Sequence, residues 1–106
     1  MGSYPTKSEL RKLKDWNFSK RDNMFAFLKY LKDCWHYADC GYYELKGKNV
    51  LRLRLSTAGW SGNEDRMDAL IKNFIFWGVF WQKSERGGHY FFKIDLKTFY
   101  PKKTRE

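Results

Sequence analysis

Residues 42–56, with the sequence YYELKGKNVLRLRLS, contain the pattern that decides the fold. Apolar residues alternate with polar ones on both sides of a Lys-Gly-Lys-Asn segment. The alternating apolar positions are Tyr43, Leu45, Leu51, Leu53 and Leu55. Because successive side chains of a strand point to opposite faces, this alternation predicts a β-hairpin with one buried face. Arg52 and Arg54 then stand on the opposite face from the leucines.

Helical patterns lie on both sides of this hairpin. The spacing of Thr6 and Glu9 is that of a capping box and predicts a first helix. A second helix, which Gly41 ends, has apolar residues three and four positions apart. Its apolar stripe comprises Met24, Phe27, Leu28, Leu31 and Trp35. A third helix is predicted after the hairpin from Met67, Leu70, Ile71 and Phe74.

Residues 74–81, FIFWGVFW, are apolar on every side, so periodicity alone leaves a strand and a helix continuation open. Their short length, their aromatic content and Asn73 as a helix stop favour a buried strand. A turn, SERGG, and the alternating segment HYFFKID at 89–95 complete a second hairpin. The predicted order is α-α-β-β-α-β-β, an α+β fold with an antiparallel sheet packed on helices.

Length and composition predict a single domain over residues 1–106, with residues 1–5 and 97–106 as flexible tails. The net charge of +9 attracts polyanions such as nucleic acid. The longest uncharged apolar run is too short to span a bilayer, and the N-terminus lacks a signal-peptide pattern. We therefore expect a cytoplasmic protein with no membrane partner.

Residues 55–65, LSTAGWSGNED, connect the first hairpin to the third helix and allow two interpretations. In the structural one, Ser61 caps the helix, Glu64 completes a capping box and Trp60 closes the edge of the core. In the functional one, free backbone N–H groups, hydroxyls and an exposed indole bind a phosphate and a stacked base. The candidate residues of this ligand or anion loop are Ser56, Thr57, Trp60, Ser61, Asn63, Arg86 and His89.

Catalytic and metal sites are weakly indicated. An enzyme would use His89 as general base or acid with Ser61 or Glu64 as its partner, and Arg86 as an anion clamp, but no nucleophile motif or paired carboxylates accompany them. The cysteines Cys34 and Cys40 flank His36 without the fourth ligand and paired spacing of a zinc site. We predict a non-enzyme with free thiols, no metal and no cofactor.

One face of the predicted sheet combines cations with aromatic rings. It carries Arg52 and Arg54 on one strand, and Phe91 and Lys93 beside His89 on another. This combination suits phosphate contacts and base stacking without strict sequence reading. The alternative is a solvated sheet face, where Lys and Arg also blunt edge pairing.

Two motifs resemble a family of small uncharacterised proteins encoded by tailed bacteriophages and prophages. The pattern L-S-T-x-G-W-S-G-N-E falls on Leu55 to Glu64, and W-x-x-S-x-R-G-G-H-Y-x-F falls on residues 81–92. The resemblance covers about residues 50 to 94, leaves the N-terminal helices unmatched, and departs mildly at Ala58, where many relatives have Gly. It implies a phage source and the cytoplasm of a bacterial host, and it brings no activity.

These observations predict a non-enzymatic phage accessory protein that binds nucleic acid. An inhibitor of a host or anti-phage defence protein is the first alternative, because exposed Trp and Arg are frequent at protein interfaces. A small-ligand or phosphate-binding enzyme built on residues 60–64 with Arg86 and His89 is the second.

Overall fold

The computed structural model of the chain describes residues 4–101. The helices are α1 (Lys7–Lys14), α2 (Arg21–Cys34), α3 (Ser61–Ile71) and the short α4 (Leu96–Phe99), with a 3₁₀ turn at Ala38–Cys40 and a π-helical turn at Phe76–Phe80. The strands are β1 (Tyr43–Lys46), β2 (Val50–Ser56), β3 (Trp81–Glu85) and β4 (His89–Asp95). The predicted α+β class and the order of its elements are confirmed.

The four strands form one antiparallel sheet in the order β1-β2-β4-β3. The central pair joins β2 to β4 over their full lengths, from Val50 opposite Asp95 to Ser56 opposite His89. Leu53 and Phe92, which face each other across this pair, are both buried. Buried side chains of α1, α2 and α3 complete the same hydrophobic cluster, so the helices cover one face of the sheet.

The predicted orientation of the first hairpin is correct. Leu51, Leu53 and Leu55 are buried, whereas Arg52 is exposed and Arg54 is half-buried on the opposite face. The cations of β2 therefore stand on the face of the sheet away from the core.

The prediction of a buried strand at residues 74–81 is wrong. The chain is helical from residue 74 to residue 80, and β3 begins only at Trp81. Asn73 explains the difference, because its Oδ1 accepts a hydrogen bond from the Phe76 N–H (3.1 Å) and so starts a new helical turn. Its amide nitrogen donates to the Leu13 carbonyl (3.0 Å), which fixes the Asn73 side chain against the end of α1.

The helical turn at 74–80 carries apolar residues both on its buried face and on its exposed face. Phe76 and Phe80 are buried in the core. Four apolar residues at the end of α3 and on the helical turn, which we call the apolar patch, are instead between 37% and 89% exposed, with Phe74 the most exposed. The apolar patch consists of Ile71, Phe74, Ile75 and Val79.

The two ends of the described chain pack on the domain. Residues 97–99, which were expected to belong to a tail, lie in α4, and the Tyr100 hydroxyl donates to the Phe18 carbonyl (2.6 Å). Of the predicted tails, residues 1–3 and 102–106 lie outside the described residues.

No helix between residues 4 and 101 combines the length and the apolarity that crossing a membrane requires.

Candidate functional site

The start of the predicted ligand loop is bonded to the second hairpin. Ser56 Oγ and His89 Nδ1 share a hydrogen bond of 2.7 Å, and the Thr57 N–H donates to the Gly88 carbonyl at 2.9 Å. Ser56 and Thr57 are both buried. The predicted proximity of the two hairpins is therefore present, but the two hydroxyls contribute to the packing between strands and are shielded from solvent.

Trp60 lies farther along the loop in a stack of three aromatic rings. Its indole is almost parallel to the His36 imidazole, with centroids 3.9 Å apart and an interplanar angle of 6°. Tyr4 stacks with the same indole at 5.1 Å and 22°. Trp60 is thus flanked by His36 and Tyr4 and not by the predicted loop residues His89 and Arg86, since His89 bonds to Ser56 and Arg86 is exposed on the hairpin turn.

The predicted Ser61–Glu64 capping box is wrong. Helix α3 begins at Ser61, so its N-cap is Trp60, and no side chain caps the helix. The Glu64 N–H donates to the Trp60 carbonyl (3.0 Å), which places the helix start one residue earlier than expected. The Ser61 hydroxyl is left exposed and bonds to the Tyr4 hydroxyl at 3.0 Å.

Asn63, also a predicted ligand residue, is fully buried and holds the backbone of His36. Its Oδ1 accepts from the His36 N–H (2.9 Å), and its amide nitrogen donates to the His36 carbonyl (3.1 Å). Arg66 Nη1 donates to the same Oδ1 (2.9 Å), and Arg66 Nε forms a partly buried ion pair with Glu9 (2.6 Å). These contacts join α1, α3 and the end of α2, so Asn63 supports the stack behind Trp60 and does not face a ligand.

The two cysteine thiols are free and lie in different environments. Burial, followed by the negative charge of Glu9, raises the pKa of the Cys34 thiol to about 11, whereas Cys40 is exposed. Within residues 4–101, no three His, Cys, Asp or Glu side chains are grouped as a metal ion requires.

The outer face of the sheet presents a row of cations that crosses three strands. Lys46 on β1 is opposite Arg52 on β2, and Arg52 is opposite Lys93 on β4. None of these three side chains forms an ion pair with another described residue. We call this row the basic row. Because neighbouring strands are about 4.8 Å apart, its three backbone positions span roughly 10 Å.

A second row of residues, beside the basic row, contains the ring of Phe91. Its positive charge is partly neutralised by a carboxylate. Arg54 forms an ion pair with Glu44 (3.3 Å) and donates to the Gly41 carbonyl (3.1 Å). Next to Arg54 on the sheet is Phe91, with Lys83 Nζ over its ring at 4.8 Å from the centroid. A shallow cavity of about 260 Å³ lies on this face, lined in part by Lys46, Arg52, Arg54, Lys83 and Phe91.

Sequence reasoning found four members of this surface and missed three. Lys46 could have been predicted from the register of the hairpin, because it is opposite Arg52 and therefore lies on the same face of the sheet. Lys83 was hidden because β3 was placed too early in the chain. Glu44 was not considered as a partner, although its pairing with Arg54 reduces the charge available to a ligand.

No family model matches this chain, and no curated protein or solved structure matches it.

Proposed function

We propose that this protein is a non-enzymatic accessory protein of the bacteriophage type, and that it binds nucleic acid through the outer face of its sheet. The observation that carries the proposal is the basic row, which places the unpaired side chains of Lys46, Arg52 and Lys93 beside the ring of Phe91.

Three cations held within about 10 Å of one another repel, and a chain of phosphates relieves that repulsion. Binding also releases the counterions condensed on the nucleic acid, which supplies a favourable, sequence-independent free energy. Phe91 adds a surface on which a base stacks, whatever its identity. Arg54 is expected to contribute less, because Glu44 already neutralises it.

The enzyme alternative gains no support from the described residues. Ser56 and Thr57, the hydroxyls nearest His89, are buried in the junction between strands. The Trp60 indole stacks on His36 and Tyr4, and Asn63 bonds to the backbone of His36, so these predicted loop residues have partners other than His89.

A salt titration tests the proposal. Binding to single- and double-stranded DNA and RNA is measured from about 50 to 200 mM salt, for the native protein and for the double variant Arg52→Ala/Lys93→Ala. Each phosphate contact contributes about 0.7–0.9 to the slope of log affinity against log salt, so the variant, which removes two cations, is expected to lose roughly 1.4–1.8 from that slope.

The matched control is Lys20→Ala/Lys72→Ala, which removes the same charge from exposed positions outside the sheet. It is expected to change the slope far less. Equal effects of the two double variants would show that only net charge matters, and an absence of binding at low salt would exclude the proposal.

A second candidate function, binding and inhibition of a host protein, is favoured by the apolar patch. Phe74 is 89% exposed, and Ile71, Ile75 and Val79, its neighbours in the chain, are exposed too; such a concentration of exposed apolar residues is typical of protein interaction sites. If the protein slows host growth when produced in bacteria, Phe74→Ser should remove the effect, and Phe25→Ser, at an exposed Phe on α2, should retain it. A Phe74→Ser variant that is folded and still inhibits growth would exclude this surface.

A further inference from the structure

Trp60 is held rigidly from behind, as a binding platform needs to be. The His36 imidazole covers one side of its indole in parallel contact. The backbone of His36 is fixed in turn by two hydrogen bonds with the fully buried Asn63, which accepts from the His36 N–H and donates to the His36 carbonyl. The indole also packs directly on the backbone of Gly62, where an added Cβ would clash with the ring. The position and tilt of Trp60 are therefore set by the domain itself.

The opposite side of the indole is covered in a different way. Tyr4 lies there, stacked less closely and at a larger angle than His36, and it is 65% exposed. It precedes α1, and its hydroxyl bonds to the exposed Ser61 hydroxyl at the edge of the stack. This outer ring is thus held by one stacking contact and one solvent-exposed hydrogen bond.

We propose that the outer face of Trp60, together with the Ser61 hydroxyl, is a nucleobase-binding site that Tyr4 occupies in the free protein. The contacts of Tyr4 indicate which ligands the site can bind: Tyr4 stacks a planar ring on Trp60 and places a polar group at the ring edge against Ser61. A nucleobase has both properties, because it offers a stacking face and hydrogen-bonding groups on its rim. The choice of a nucleobase rests on the proposed function, and Tyr4 acts as a competitor built into the chain.

Binding of a base in this place exchanges one ring stack for another. The competing Tyr4 lowers the apparent affinity by the fraction of time that it covers Trp60. An aromatic pair is worth the equivalent of about a 2- to 12-fold change in affinity. Removal of the Tyr4 ring is therefore expected to strengthen base binding by a factor in this range.

The experiment uses dAMP as the probe and the full chain as the protein. The indole N–H signal of Trp60 is followed by NMR during titration of native protein, Tyr4→Ala and Tyr4→Phe. Tyr4→Ala should bind dAMP about 2- to 12-fold more tightly than native protein, with the Trp60 signal shifting on binding. Tyr4→Phe keeps the ring and loses only the bond to Ser61, so its affinity should lie between the other two.

Three results would overturn the inference: unchanged affinity in Tyr4→Ala, weaker affinity in Tyr4→Ala, or no response of the Trp60 signal in any variant. The Tyr4 side chain is mostly exposed, so its removal should leave the domain folded, which the dispersion of the same spectra verifies.

Titration of a single-stranded oligonucleotide separates this inference from the proposed function. If Arg52→Ala/Lys93→Ala lowers the salt slope and Tyr4→Ala leaves dAMP binding unchanged, only the inference fails. If Tyr4→Ala strengthens dAMP binding and the double variant leaves the slope unchanged, only the basic row fails. Absence of binding of either probe to any variant excludes both.

Discussion

Asn63 shows how much a single buried polar residue contributes in this protein. Its side chain satisfies the N–H and the carbonyl of His36 and accepts a bond from Arg66, without any exposed surface of its own. We expect Asn63→Ala to lower the free energy of unfolding by about 2–4 kcal/mol, because groups that lose a buried partner each cost about 1–3 kcal/mol. Urea denaturation measures the change.

The control for this substitution is Asn49→Ala, at an exposed position in the first hairpin turn. It should change the stability by less than about 0.5 kcal/mol. A loss below about 1 kcal/mol in Asn63→Ala would mean that water or a shifted backbone replaces the missing bonds.

Tyr100 gives the protein a dependence on alkaline pH. Burial raises the pKa of its hydroxyl from 10.0 to about 12, and that hydroxyl donates to the Phe18 carbonyl. Below about pH 10, Tyr100 is protonated in both the folded and the unfolded chain, and its contribution to stability is complete. Between pH 10 and 12 the unfolded chain ionises first, so the contribution is lost as the pH rises.

We therefore expect the free energy of unfolding to fall between pH 10 and 12, and to fall less steeply in Tyr100→Phe. Denaturation at several pH values measures both slopes. The decrease should persist in part, because burial also raises the pKa of Tyr30 to about 12. Identical slopes in the two proteins would show that the Tyr100 hydroxyl is equally acidic in the folded and unfolded chains.

At the scale of elements, the turn at 74–80 allows a direct test of helix against strand. Positions 74 and 76 share a face in a strand but lie on nearly opposite sides of a helix. Phe76→Ala should cost about 3–5 kcal/mol, as for buried aromatic residues, while Phe74→Ala should cost less than about 0.5 kcal/mol. Thermal or urea unfolding of both variants measures the contrast, and similar losses in the two would contradict the helical turn.

These elements show which parts of the fold can be predicted from a local sequence pattern. The first hairpin and the first two helices were predictable because each has one buried and one exposed face, which produces a clear period. The segment at 74–81 was not, since both of its helical faces are apolar and the periods of helix and strand are then indistinguishable. The presence of Asn73 did not distinguish a strand from a helix after it, because the same residue type can end one helix and cap the next.

The residues of the candidate site also fall into two groups, those that a local sequence pattern predicts and those that depend on contacts distant in the chain. The outward direction of Arg52, Arg54, Phe91 and Lys93 follows from alternation along single strands, so the sequence was sufficient. The Tyr4–Trp60–His36 stack joins three segments that are far apart in the chain, and no local pattern reports such a contact. Asn63 resembled a loop residue for the same reason, since its partner is the backbone of His36.

For the whole molecule, β4 is the strand on which the sheet depends. It pairs with β2 on one side and β3 on the other, and it supplies Phe92 and Ile94 to the core. We expect a fragment of residues 1–88 to show no cooperative unfolding transition, because β2 and β3 would lose their shared neighbour. Circular dichroism during heating measures this with the full chain as control, and a cooperative transition in the fragment would contradict it.

The central position of β4, which lies near the C-terminal end of the sequence, also affects folding during synthesis. A ribosome adds about 5–20 residues per second, so several seconds pass between the synthesis of β2 and that of its main partner. During that interval Leu51, Leu53 and Leu55 have been translated and β1 is available to pair with β2, but β4 has not yet been made. Long-range pairings of this kind form slowly and expose apolar strands to aggregation. We therefore expect the nascent chain to depend on rapid translation or on a chaperone that shields β2 until β4 emerges.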